Sequence, residues 1–92
     1  MNIITIFVLP NKEPHEVRVF NLTRKGLCFI ATQEFEVMTD VLIKMDEHVT
    51  LKGKVIWFKH DENKKSKDVY HGVRFYQYKP EVARILFKHG VR

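Results

Sequence analysis

Ninety-two residues make one small domain, because a chain this short cannot be divided into two parts that each bury an adequate core. A hydrophobic content of 45% is ordinary for a folded protein, and no apolar run reaches the length a membrane span requires. The formal net charge of +5, from sixteen Lys and Arg against eleven Asp and Glu, favours an anionic partner without choosing among nucleotides, nucleic acid, a membrane surface and acidic proteins.

The opening Met1-Asn2-Ile3-Ile4-Thr5-Ile6-Phe7-Val8-Leu9 has neither a charged leader nor a small-residue cleavage site. Its β-branched and aromatic residues predict a first strand over 3–9, ended by Pro10 and a turn at Asn11-Lys12-Glu13-Pro14. A second strand follows over 16–22, with Val17 and Val19 on one face and Arg18 and Phe20 on the other. The polar stretch Asn21-Leu22-Thr23-Arg24-Lys25-Gly26 interrupts the apolar pattern. Asn21 can bond its own backbone, Thr23 offers a hydroxyl, and Gly26 can take a positive φ, so the stretch reads as a tight connection between strands.

A third strand is expected over 27–32 and a fourth over 41–45. The clearest period-two signal is the fifth, over 49–58, where Val49, Leu51, Val55 and Trp57 alternate with Thr50, Lys52, Lys54 and Ile56. Gly53 falls on the apolar face, which predicts a bulge or a close crossing there. The run Lys59–Lys67 is a solvated loop by its charge. A sixth strand is predicted over 69–76, with Val69, His71, Val73 and Phe75 on one face, and with Gly72 removing a side chain beside Arg74. Pro80, Glu81, Lys88, His89 and Gly90 are the start and stop signals of a helix over 80–89, whose Val82, Ile85 and Leu86 share a face suited to packing on a barrel.

The segments Asn21–Phe29, Gly53–Phe58 and His71–Phe75 resemble, in order and spacing, a PilZ domain. The resemblance implies a bacterial six-stranded antiparallel β-barrel with a C-terminal α-helix, spanning residues 1–92. It also implies a ligand, cyclic diguanylate, held in this family by an Asp/Asn-x-Ser-x-x-Gly loop and an upstream Arg-x-x-x-Arg segment. Asn21, Thr23 and Gly26 match the loop positions, with Thr where Ser is usual, whereas residues 1–17 contain no arginine.

Cyclic diguanylate carries two phosphates and two guanines. Arginine suits both, its planar fork meeting phosphate oxygens or guanine O6 and N7. Losing two charge-assisted contacts, each worth about 1.5–3 kcal/mol, weakens a micromolar interaction by several orders of magnitude. Arg18, Arg24, Lys25 and Arg74 are the candidate substitutes. The expected function is therefore a stand-alone signalling module with weak or lost nucleotide binding that acts through a protein partner; a receptor using substitute cations is the alternative.

A nucleic-acid-binding barrel is the competing class, motivated by the charge and by Phe7, Phe20, Phe29, Trp57, Phe58, Tyr70, Tyr76 and Tyr78 as stacking candidates. Strand aromatics are better explained by packing, and no RNA-binding signature accompanies them. No enzyme is expected, since His15, His48, His60, His71 and His89 lack metal-ligand spacing and neither a phosphate loop nor a nucleophile motif is present. Cys28 is the single cysteine, which excludes an internal disulfide and fits a reducing, cytoplasmic setting.

Overall fold

The computed structural model describes residues 2–77 apart from 46, 48 and 64. Six strands form in chain order: β1 Asn2–Val8, β2 Glu13–Leu22, β3 Gly26–Ala31, β4 Asp40–Lys44, β5 Thr50–His60 and β6 Val69–Phe75. They close into a barrel in the order β1-β2-β3-β6-β5-β4, with every neighbouring pair antiparallel. The helix predicted over 80–89 lies outside the described residues.

Alternation explains which residues fill the barrel. Ile6, Val17, Phe29, Val41, Ile43, Leu51, Val55 and Val73 point inward and form one continuous core, while Arg18 and Phe20 face out. His71 joins them as the buried polar residue among those described, stacked on Phe29 with ring centroids 4.6 Å apart.

Two departures from sequence expectation matter for the site. β2 starts at Glu13, earlier than the predicted 16, because Glu13 and Pro14 already pair with Val8 and Phe7 of β1. Of the two expectations for Gly53, a bulge or a close crossing, the second is met and the register there is regular. Its role is the close crossing, since a Cβ there would press on Val73 and on the backbone carbonyl of Arg74. The bulge of β5 instead falls between Val55 and Trp57, and a second one breaks β2 between Val19 and Asn21. An extra residue reverses alternation beyond it. Trp57, predicted to share the inner face with Val55, is thereby turned to the outside and is 40% exposed.

Candidate functional site

The polar connection between β2 and β3 is a turn closed on itself. The Thr23 N–H donates to the Gly26 carbonyl at 2.8 Å. The Thr23 hydroxyl accepts the Lys25 and Gly26 N–H groups, each at 3.2 Å, and donates to the Gly26 carbonyl at 3.2 Å. At the far end of the turn the Lys25 carbonyl accepts the Phe75 N–H at 2.8 Å, which pins the loop to the end of β6. Thr23 therefore shapes the loop, and its hydroxyl is already engaged. Thr23→Ala is expected to cost about 1 kcal/mol in urea unfolding, while Thr23→Ser stays within a few tenths of wild type.

Gly26 is needed for a reason other than the one the sequence suggests. Its φ lies outside the left-handed region, and a Cβ there would run into the Val73 carbonyl of the neighbouring strand. Close approach of two backbones fixes the residue type.

Beside this loop the outer wall of the barrel carries an open depression of about 380 Å³. Asn21, Thr23 and Lys25 form its loop side. Cys28 and Gly72, which face each other across β3 and β6, form its middle, and Trp57 lies beyond Gly72. The indole rests over Gly72 so closely that a Cβ at that position would collide with the ring. Gly72 thus makes room for Trp57, where the sequence suggested only a gap beside Arg74. Burial raises the Cys28 thiol pKa, which favours the protonated form.

Of the residues the sequence singled out, Asn21, Thr23, Lys25, Gly26 and Arg74 come together around this depression. Arg24 lines an adjoining one of about 390 Å³, which shares Lys25 and Arg74 with the first. Arg18 is elsewhere: it sits opposite Ile30, and its guanidinium pairs with Asp68 at 3.1 Å. Cys28 was missed by sequence reasoning, and Trp57 and Gly72, noted there as a stacking candidate and as a gap beside Arg74, were not placed in this site. Uninterrupted alternation through β5 hides Trp57, and only the pairing register reveals that it meets Gly72.

Among the expected stacking residues Phe29 is fully buried, whereas Phe20, Trp57 and Tyr76 are exposed. Among the described residues no group of three or more His, Cys, Asp or Glu is placed to hold a metal ion.

A family model described as the PilZ domain matches residues 2–90. The chain belongs to the PilZ domain family. Membership makes it, in general terms, a module of cyclic diguanylate-related signalling. No curated protein and no solved structure matches the chain. In this PilZ domain Asn21, Thr23 and Gly26 stand at one end of the depression, and the β5 and β6 residues Trp57 and Arg74 complete it. No helix among the described residues is long and apolar enough to cross a membrane.

Proposed function

We propose that this PilZ domain is a cytoplasmic signalling module that binds cyclic diguanylate weakly or not at all and acts through a protein partner. The supporting observation is the distribution of cations. Two of the four candidate substitutes, Lys25 and Arg74, line the depression beside the ligand loop, while Arg24 lies in the neighbouring one and Arg18 is held by Asp68. Two phosphates and two guanine edges would have to share those few donors. The loop is also held by bonds of its own, from Thr23 to Lys25 and Gly26 and from the Phe75 N–H to the Lys25 carbonyl.

A receptor that uses substitute cations is the second reading. It is favoured by Lys25 and Arg74, neither of which forms an ion pair among the described residues.

Titration of the purified protein with cyclic diguanylate, followed by amide shifts in a two-dimensional NMR spectrum with GTP as control, separates the two. The expected result is no shift, or unsaturated shifts, at millimolar ligand. Saturable shifts centred on Asn21–Gly26 with a low-micromolar Kd overturn the weak-binding reading and make the protein a receptor.

A further inference from the structure

Barrel strands send every second side chain outward, where water favours polar groups. The outer wall across β2, β3, β6 and β5 departs from that rule at one level. The two register shifts of the barrel lie on either side of the β3–β6 pair in a single row, Asn21–Cys28–Gly72–Trp57. A bulge re-aims the side chains next to it. Here each presents an aromatic to solvent, Phe20 at 43% exposure and Trp57 at 40%, and Ile56, the extra residue of the β5 bulge, is 46% exposed.

Phe20 is braced edge-to-face by Tyr70 with centroids 5.8 Å apart. Ile30, which pairs with both Arg18 and Tyr70, is buried although it stands outside the interior core. Between the aromatics Gly72 supplies no side chain and Cys28 only a small one. The result is an apolar trough on the outside of the barrel, its depression lined by Cys28, Ile56, Trp57 and Gly72 and flanked on the β2 side by exposed Phe20.

Its charge is uneven from end to end. At one end lie Lys25 and Arg74, with Arg24 adjoining, and none of the three is paired with an acid among the described residues. The acid in that row, Asp40, reached from Arg74 through Lys54, accepts a hydrogen bond from the Tyr76 hydroxyl. Toward the other end Arg18 is paired with Asp68 at 3.1 Å and Lys59 with Glu62 at 3.6 Å. Unpaired cations beside exposed aromatics attract a partner that brings carboxylates and an apolar anchor together.

We propose that the trough between Phe20 and Trp57 docks a segment of a partner protein, with an aliphatic or aromatic side chain over Gly72 and carboxylates at Lys25, Arg74 and Arg24. This rests on the reading that the module acts through protein contacts, and it names the face and the chemistry of the partner. A second copy of the chain is disfavoured as the occupant, because it would bring a further +5 against the same cations.

Trp57 is the chain's single tryptophan, so its emission reports on the trough directly. The probes are a short peptide of Leu, Phe and Glu, the same peptide with Lys for every Glu, and the same peptide with Ser for every apolar residue. The full chain is expected to bind the first saturably, with a blue shift of Trp57 emission and amide shifts at Cys28, Gly72 and Lys25. The other two peptides are expected to bind at least about tenfold more weakly. In the double variant Lys25→Glu, Arg74→Glu, whose fold is checked by its two-dimensional spectrum, the order of the acidic and basic peptides is expected to reverse.

No saturable response at millimolar acidic peptide, equal response to the basic one, or an unchanged order in the double variant each overturns the proposal. Cyclic diguanylate titrated into the same sample tests the earlier reading separately. Tight nucleotide binding defeats weak binding at the ligand loop, whereas docking stands or falls on the peptide arms.

Discussion

Gly26→Ala is expected to lower the free energy of unfolding by about 3 kcal/mol, the upper part of the range for forcing extra volume into a close-packed site. The added Cβ would be driven into the Val73 carbonyl oxygen, and the next nearest atoms are the Val73 carbonyl carbon at 3.1 Å and the Arg74 Cα at 3.2 Å. All three are backbone, so no rotamer change relieves the contact. β6 must instead move away from β3 where Gly26 faces Arg74, next to the bond from the Phe75 N–H to the Lys25 carbonyl. Urea unfolding of the two proteins measures the loss.

Gly72→Ala is the informative contrast. The three atoms nearest its Cβ all belong to the Trp57 indole, a partly exposed side chain that can turn aside. The expected cost is about 1 kcal/mol with a red shift of Trp57 emission, and Trp57→Ala in the same chain should abolish that cost. Equal costs for the two glycine variants would mean that the β3–β6 backbones are not in close approach at Gly26. The comparison also separates two roles of glycine in this wall, one holding strands together and the other giving the trough its depth.

The barrel was legible because its inner face repeats with period two. Val17 and Val19, Leu51 and Val55, and Val69, His71, Val73 and Phe75 all point inward as alternation requires. Periodicity failed where one residue was inserted. Nothing local in Val55-Ile56-Trp57 announces a bulge, because both registers leave an apolar residue inside; the choice is made by β6, whose Gly72 leaves room for the indole.

The loop is a similar case. Asn21, Thr23 and Gly26 were readable from their types, yet the reason for Gly26 was not, because the carbonyl that excludes a Cβ comes from Val73, far along the chain. Arg18 shows the opposite limit. As an arginine it was a candidate substitute cation, but one strand residue advances about 3.3 Å, and the three from Asn21 carry Arg18 to the row of Ile30 and within reach of Asp68.

Acidification below about pH 6.5 is expected to destabilise the fold through His71. The residue is fully buried. Its Nε2 accepts the Phe35 N–H at 2.9 Å, so that nitrogen must be unprotonated and the neutral ring carries its hydrogen on Nδ1. Nδ1 is sealed from solvent without a hydrogen-bond partner of normal geometry among the described residues. Phe29, Phe35 and Phe58 surround the ring at centroid distances of 4.6, 5.2 and 6.3 Å.

Burial is the largest influence and lowers the His71 pKa; the Val69 backbone and the Glu34 carboxylate act in the opposite direction, and His60 adds to the lowering. The folded protein therefore binds this proton less readily than the unfolded chain. Stabilisation is complete above the unfolded value of about 6.5 and is lost as pH falls from there toward the folded value, at up to about 1.4 kcal/mol per pH unit. The other groups near the ring are the exposed pair of His60 with Glu34 at 2.7 Å and His15, whose ring meets Phe35 at 5.0 Å.

His71→Gln keeps an acceptor for the Phe35 N–H and removes the titration. Urea unfolding at pH 7.5, 6.5 and 5.5 is expected to show a shallower loss of stability in the variant, by up to one proton's slope. An unchanged slope, or a His71 ring resonance in the wild type that titrates at about 6.5, would remove His71 as the cause. Protonation would also break the bond that holds Phe35, and with it the segment joining β3 to β4 across the barrel mouth, so the amide of Phe35 should be among the first to lose exchange protection as the pH falls.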